Sequence, residues 1–296
     1  MTTRCGYVAI LGRPNVGKST LLNALLGQKI SITSKKPQTT RHNLLGILSE
    51  DDTQILFVDT PGIHSVEPRA INRYMNRAAK SAVRDVDVLL FLVDRNRWTS
   101  DDEQVAEIFR SARCRKVLVI NKLDLMQDRT AVLALLQKLQ QQFPDAEIVP
   151  VSAEKSQNLE TLLGVVRTML PLSPFYFDEN QVTDRSERFL IAEILREKLM
   201  RQLGDELPYE LTIQIDRFED DNGIAHIDAT IFVEKDGQKR ILIGRNGERI
   251  KQVGKDARLD MERTLDRKVM LTTWVKVKQG WSDDERAMKS LGYDDV

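Results

Sequence analysis

Residues 7–26 read YVAILGRPNVGKSTLLNALL, and the fold turns on them. Tyr7 to Leu11 is a short apolar run of the kind that forms a strand buried on both faces, and Ser19 to Leu26 carries a helical pattern. Between them Gly12, Arg13, Pro14, Asn15, Val16, Gly17, Lys18 and Ser19 fit the spacing of a phosphate-binding loop, in the strand-to-helix setting which that pattern requires. Each position has a physical reason. The glycines let backbone N–H groups converge on phosphate oxygens, the helix N-terminus adds a positive field and Lys18 supplies a point charge. The Ser19 hydroxyl is placed to ligate magnesium.

Similar apolar runs recur at Gln54 to Val58, Val88 to Val93, Lys116 to Ile120 and Ile148 to Val151, with helical patterns at Ser100 to Ala112, Thr130 to Phe143 and Leu159 to Leu170. This alternation predicts an α/β phosphate-loop domain, a mostly parallel sheet with helices on both faces. Such sheets bind ligands at the carboxyl ends of their strands, which is where two more motifs fall. Asp59, Thr60, Pro61 and Gly62 follow the strand ending at Val58. The carboxylate is placed to hold magnesium, usually through water, and the Gly62 amide to meet a γ-phosphate. Taken alone, the same composition is an ordinary turn.

Asn121, Lys122, Leu123 and Asp124 follow the strand ending at Ile120 and decide the base. Guanine presents N1–H and an exocyclic amino group side by side, and one carboxylate, Asp124, accepts both. A base without that donor pair would leave buried carboxylate oxygens unpaired. Asp124 thus argues against a phosphate-loop ATPase, the rival reading. Lys122 can lie along the ring face, and Asn121 can tie neighbouring loops together. Ser152 and Ala153 would bring the Ala153 N–H to the guanine carbonyl oxygen.

The chain has 296 residues, too many for the usual single domain of ~100–200, so two compact units are expected. Charged residues make up 30% and the formal net charge is zero, which excludes a globally basic nucleic-acid protein or an acidic tail protein. Cys5 and Cys114 lack metal-ligand spacing and read as free thiols in a reducing compartment. The N-terminus reads as a buried strand rather than an export signal. No apolar stretch reaches the ~20 residues of a transmembrane helix, so any membrane contact would be at the surface.

The alternation stops at Pro171, and Pro174, Phe175 to Phe177 and a polar stretch through Asp184 read as a linker. The expected organisation is a GTPase-type domain at 1–170, a linker at 171–185, a second domain at 186–280 and a C-terminal tail at 281–296. In the second domain Ser186 caps a helix whose Ile191, Leu195, Leu199 and Leu203 form one stripe. Leu211 to Phe218 and Ile224 to Val233 form a hairpin over Asp220 to Gly223. A short strand at Arg240 to Ile243, a helix from about Gly247 and a last strand at Val269 to Val277 complete a smaller α+β domain.

Its candidate site is Gly244, Arg245, Asn246 and Gly247. A lone Gly-x-x-Gly is weak, and charge strengthens it. Residues 239–278 hold twelve Lys or Arg against five Asp or Glu, whereas residues 205–236 hold ten acids against two bases. Such segregation suggests one phosphate-seeking face. In a KH module that loop clamps about four nucleotides, and Ile243, Arg245, Arg249, Ile250 and Lys251 are placed to assist. The plain alternative is a solvated helix face capped by glycines.

The four motifs of the first half, in this order, resemble the translation-factor class of GTPases. That resemblance implies a threonine in the loop after the first helix that ligates magnesium only when γ-phosphate is present. The loop holds Thr39, Thr40 and Arg41; alignment to the class's threonine-arginine pair selects Thr40, with Thr39 as the rival. With GRPNVGKS, QTTRH, DTPG, NKLD and a type II KH pattern after the linker, the whole chain resembles the Era family of bacterial GTPases.

The family resemblance implies GTP/GDP and Mg²⁺ as cofactors and hydrolysis of GTP to GDP and phosphate, with Lys18, Thr40, Asn15 and Gly62 as the catalytic set. It implies binding to 16S ribosomal RNA near its 3′ end, a role in 30S subunit assembly and no DNA partner. A cytoplasmic monomer with peripheral association with the inner membrane is expected. One departure bears on mechanism. Many such GTPases place a water-orienting glutamine just after the Gly62 position, where this chain has Ile63, which cannot hydrogen-bond water. Unaided turnover should therefore be slow. Related GTPases that lack the glutamine and carry asparagine at the Asn15 position can use K⁺, so Asn15 is either a ligand for that ion or a brace of the loop through backbone hydrogen bonds. A different reading of the whole is a GTP-gated module whose KH-like domain docks a protein or membrane surface.

Overall fold

The computed structural model describes residues 3–34, 36, 38–63, 69–95, 97–126, 128–203 and 210–293. The start of the acidic segment, 205–209, and the end of the tail, 294–296, lie outside them. The first unit runs β1 (Arg4–Leu11), α1 (Lys18–Leu26), β2 (Leu44–Glu50), β3 (Thr53–Asp59), α2 (Ala70–Ser81), β4 (Val88–Asp94), α3 (Ser100–Ser111), β5 (Arg115–Asn121), α4 (Arg129–Gln142), β6 (Glu147–Pro150) and α5 (Leu159–Met169). Among the described residues these strands make one six-stranded sheet in the order β2-β3-β1-β4-β5-β6. It is parallel except for β2, which pairs antiparallel with β3.

The central strand β4, VLLFLVD, is buried along its whole length, which is why its sequence shows no polar alternation. On one face Val8, Ile10, Leu90 and Val119 pack with Leu21 of α1 and Leu162 and Val166 of α5. On the other, Ala9, Leu89, Phe91 and Leu118 pack with Phe109 and Phe143. Truncating Phe91 to alanine would cost about 3–5 kcal/mol. The result is a stiff sheet whose carboxyl edge holds the loops after β1, β3, β4 and β5.

Sequence reading supplied neither β2 nor α2. The stretch 171–185, expected as a linker, packs on β1, β2 and β3, with Phe175 and Phe177 against Cys5, Ile47 and Leu56. Gln54 Oε1 accepts the N–H groups of Tyr176 and Phe177 at 2.9 and 3.1 Å, and Ile47 N–H donates to Val182 O at 2.8 Å.

The second unit comprises α6 (Glu187–Gln202), β7 (Leu211–Asp221), β8 (Ile224–Val233), α7 (Asp236–Ile243), α8 (Glu248–Leu265) and β9 (Lys268–Val277). Its sheet order is β7-β8-β9, with β7 antiparallel and β9 parallel to β8. Ser186 Oγ accepts the Phe189 N–H as the α6 cap. Ile191, Leu195 and Leu199 of α6 meet Val253, Ala257 and Met261 of α8 over Ile227, Ala229 and Ile231 of the sheet.

Arg240 to Ile243, expected as a short strand, are instead the end of helix α7. A four-residue run of this kind cannot reveal its own period. Gln238 Oε1 accepts the Lys235 N–H at 2.9 Å to close the first turn, and Gly244 at φ 76° ends the helix. The Gly244–Gly247 loop therefore joins two helices.

Past β9 the chain returns to the first unit. Trp281, Met288 of α9 (Glu285–Ser290) and Tyr293 pack with Ala70, Ile71, Tyr74 and Met75 of α2, and Ile71 N–H donates to Ser282 O at 3.1 Å. No helix among the described residues is long and apolar enough to cross a membrane.

Candidate nucleotide pocket and RNA loop

The loop between β1 and α1 lines a pocket of about 550 Å³ together with residues 32–34, 36 and 38–40, Gly62, Asn121, Lys122, Asp124 and Ala153. Close packing of backbone explains its glycines. A Cβ on Gly17, which sits at φ 104°, would lie 2.4 Å from Asn121 Nδ2, and one on Gly62 would lie 2.8 Å from Pro14 N. Pro14, Asn15, Lys18 and Ser19 face the pocket. Gly12, Val16 and Pro61 are buried behind it, and the Thr60 hydroxyl donates to Ile10 O at 2.8 Å. Arg13 is turned away, its Nε donating to Asp102 Oδ2 at 2.9 Å. The side chain of Ile63, expected among the nucleotide-loop residues, is 3% exposed and belongs to the core beneath β1 and β4. An apolar side chain following Gly62 finds its lowest energy there and offers no hydrogen-bonding group to a water.

Lys18 is buried, with Nζ donating to Gly12 O and Arg13 O at 2.9 and 3.0 Å. Burial pulls its ammonium down to about 8, Asp59 opposing and Arg13 assisting. Beside it, Ser19 Oγ donates to Asp59 Oδ2 at 2.8 Å and lies 2.8 Å from Thr40 Oγ1. Ser31 Oγ, which no motif pointed to, donates to the same carboxylate oxygen at 3.0 Å. The Thr39 hydroxyl donates to Lys36 O instead.

Burial pushes the Asp59 carboxyl up, and Lys18 and the hydroxyls of Ser19, Ser31 and Thr40 offset only part of that rise. Its Oδ1 is buried and accepts no hydrogen bond. Two hydroxyls and a buried carboxylate with a spare oxygen fit a hard dication such as magnesium, whose remaining ligands would be water and phosphate. Among the described residues no cluster of three His, Cys, Asp or Glu offers an alternative metal site.

In the base-reading loop, Asn121 Nδ2 donates to Val16 O at 2.8 Å and its Oδ1 accepts the Ala153 N–H at 3.0 Å. A buried amide oxygen must be satisfied, so the Ala153 N–H is held by Asn121 and would reach a base carbonyl only by sharing or leaving that partner. Lys122, at φ 65°, donates from Nζ to Asn15 O and Asp94 Oδ2, both at 2.9 Å. Asp124, within the 3-10 turn Leu123–Leu125, accepts the Ser152 hydroxyl at 2.5 Å. Asn15 is exposed at φ 64°, and its carbonyl rather than its side chain carries the bond to Lys122.

The segment bearing Thr40 is gripped by the second unit. Glu197 of α6 is 0% exposed and accepts the Thr33 N–H at 3.0 Å, Lys29 Nζ at 2.5 Å and Arg201 Nη2 at 2.8 Å. Arg196 donates to Thr39 O. Burial alone would push the neighbouring Glu193 carboxyl up, but the Arg196 guanidinium more than offsets this and holds it below its ordinary range. Arg41, also buried, donates to Leu211 O at 2.7 Å and Tyr293 Oη at 3.0 Å. The contacts that cross between the two units were not legible beforehand, because their partners lie over 150 positions apart in the chain.

The second candidate site is the α7–α8 loop, where Gly244, Asn246 and Gly247 all have positive φ. A Cβ on Gly244 would lie 2.8 Å from that of Arg249, whereas one on Gly247 would meet open space. Arg245 and Lys251 are exposed and pair with no acid among the described residues. Ile243 is half-buried and Ile250 packs on the core. Arg249 is exposed, and its Nη1 donates to Ile241 O at 2.5 Å, because the last carbonyls of a helix attract cations.

A phosphate loop, a base-reading carboxylate and a helix–GxxG–helix unit together define a guanine-nucleotide GTPase joined to a KH domain. Residues 7–122 match the family model of the 50S ribosome-binding GTPases, and residues 206–282 match that of the KH domain. GTPase Era of Ectopseudomonas mendocina is 58% identical over 291 residues, covering 98% of this chain and 97% of that one. GTPase Era of Pseudomonas aeruginosa strain UCBPP-PA14 is 56% identical over 294 residues, covering 99% and 96%. The chain belongs to the Era family of GTPases. A crystal structure of Era in complex with MgGDPNP and nucleotides 1506–1542 of 16S ribosomal RNA matches with TM-score 0.95 at 37% identity, covering 98% and 99%. A variant of Aquifex aeolicus Era bound to GDP·AlF₄⁻ matches at 0.94, with the same identity and coverage.

Proposed function

We propose that this GTPase is a nucleotide-operated switch that binds 16S ribosomal RNA near its 3′ end through its KH loop and acts in 30S subunit assembly. The observation that carries the reading is the match across both units to Era holding a magnesium-bound GTP analogue and that RNA segment. Ser19, Thr40 and Asp59 would hold the magnesium, which supplies positive charge to the β- and γ-phosphates. Lys18 binds the same phosphates, Asp124 accepts the guanine donor pair, and the buried Ile63 leaves the attacking water to backbone groups, an ion or a partner. The grip of α6 on Lys29, Thr33 and Thr39 is the route by which a γ-phosphate that orders Thr40 would be felt in the KH unit.

The reading places the work in the cytoplasm, with peripheral contact with the inner membrane as a further element that fractionation of cells would test. A potassium ion at Asn15 is a further part of the proposal. Single-turnover hydrolysis should then slow when sodium replaces potassium at fixed ionic strength, and Asn15→Ala should abolish the difference. Equal rates in both salts leave Asn15 as a brace. The main test is crosslinking and sequencing of the RNA held in cells by the intact protein and by Gly244→Asp. Reads concentrated at the 16S 3′ end and lost in the variant are expected. An unchanged RNA profile in the variant would favour a KH unit that docks a protein or a membrane surface.

A further inference from the structure

The carboxyl ends of β1, β4 and β5 lie side by side in the sheet. The phosphate loop follows β1 and the base-reading loop follows β5, so whatever ends β4 stands between them. That residue is Asp94, 4% exposed and level with Asn121 in the strand register. Its Oδ2 accepts Lys122 Nζ at 2.9 Å and lies 3.8 Å from Arg13 Nη2, while its Oδ1 accepts Arg95 Nε at 2.8 Å. The same Lys122 ammonium donates to Asn15 O at 2.9 Å. One buried carboxylate thus touches a cation from the phosphate loop, a cation from the base-reading loop and its own neighbour.

We infer that Asp94 is a positioning residue for nucleotide binding: its charge holds the Lys122 ammonium against the Asn15 carbonyl, so that the base-reading and phosphate loops are fixed in register before the nucleotide arrives. The inference rests on the guanine-nucleotide reading of the pocket. Lys122, Arg13 and Arg95 are three cations around one point, and without a counter-charge their repulsion would swing the Lys122 stem off the path of the base. Burial alone would push the Asp94 carboxyl up, but its bonds to Arg95 and Lys122 hold it below the ordinary range, so it stays ionised. Arg13 has a second anchor in Asp102, which leaves Lys122 as the one of the two loop cations that depends on Asp94. Both loops contact parts shared by GTP and GDP, so the contribution belongs to binding in general and not to the γ-phosphate.

Asp94→Asn keeps the shape and removes the charge. One charge-assisted hydrogen bond predicts that the Kd values for GTP and GDP both rise about tenfold and by the same factor, with KM following and kcat moving less than about twofold. A merely structural role would not make this loss depend on Lys122, so the deciding measurement is a double-mutant cycle on GDP affinity. In a Lys122→Met background Asp94→Asn should cost less than about twofold. An equal loss with and without Lys122, or a loss that tracks a lowered melting temperature, overturns the inference. Unchanged affinity in the single variant overturns it too, and guanine-nucleotide binding by the unaltered protein in the same titration keeps the reading of the pocket apart from that failure.

Discussion

Asp124 lines the pocket with one oxygen fixed on the Ser152 hydroxyl, and in the proposed reading its charge would distinguish guanine from bases lacking the paired donors. Asp124→Asn exchanges a double acceptor for an amide that suits xanthine, which carries a carbonyl where guanine has its amino group. Preference should move from GTP to XTP, and competitive titration would show it; a wild-type preference for GTP in the variant would remove the role assigned to Asp124. Lys18 carries the second residue-level prediction. With its ammonium at about 8 in the folded protein and near 10.4 when unfolded, the unfolded chain binds more protons between those values. This group therefore makes the nucleotide-free fold more stable as pH rises through that window. The nucleotide needs the charged form. GTP affinity should fall as pH rises from about 7 to 9, with net proton uptake on binding near pH 8.5 in calorimetry across buffers of different ionisation enthalpy. A flat profile without proton uptake would contradict it. Lys18, Asp59 and Asp124 were legible because each must be one residue type at a fixed distance from a strand end. Ser31 and Asp94 were not, since each acts through a partner brought near only by the finished sheet.

The loop between α7 and α8 shows what an element can hide. Its glycines and charge were readable, yet the helix before it read as a strand, because Arg-Ile-Leu-Ile is too short to show a period and β-branched residues favour strands out of context. The strand β2 and the packed stretch 171–185 escaped for a related reason. Their stability comes from β3 and from Cys5, Ile47 and Leu56, not from a pattern of their own. Since Gly244 has φ 76° and its Cβ would crowd Arg249, Gly244→Asp both strains the loop and adds a negative charge where phosphate would approach. It should lower affinity for a 16S 3′-end oligonucleotide by more than about tenfold and spare GTP binding. Lys251→Ala should weaken RNA of any sequence and flatten the salt dependence by about 0.7 in slope. Filter binding over a salt series, with thermal melts to exclude unfolding, checks both; unchanged RNA affinity in the pair would move the interface elsewhere.

At the scale of the molecule, the two units meet on the segment that carries Thr40. Glu197 holds Thr33, Lys29 and Arg201, Arg196 holds the Thr39 carbonyl, and Arg41 is closed in by Leu211 and Tyr293. The returning tail sets Trp281 and Tyr293 against α2, with His42 stacked on Tyr293 at 4.7 Å. Nothing in a strand-and-helix pattern announces such a contact, since its polar groups look like solvated charges until the opposite unit is in place. Its consequence is thermodynamic. If this grip favours the arrangement in which Thr40 reaches magnesium and γ-phosphate, GTP must strengthen the grip by the factor by which the grip strengthens GTP, and RNA that alters one must alter the other. Glu197→Gln removes a buried charge and leaves Arg201 without its counter-ion and Lys29 with Asp260 alone, at 3.6 Å, so the segment loosens while the loops proposed to read the base and the α- and β-phosphates stay in place. The Kd for GTP should rise about fivefold, the low end of typical coupling energies, and that for GDP less than about twofold. The change in GTP affinity produced by a saturating 16S 3′-end oligonucleotide should shrink by a similar factor. Fluorescent-nucleotide titrations with and without the RNA measure all three quantities on one preparation. Equal weakening of GTP and GDP would mean that Glu197 supports the fold and not the switch, and an intact RNA effect on GTP would place the coupling in some other contact between the units.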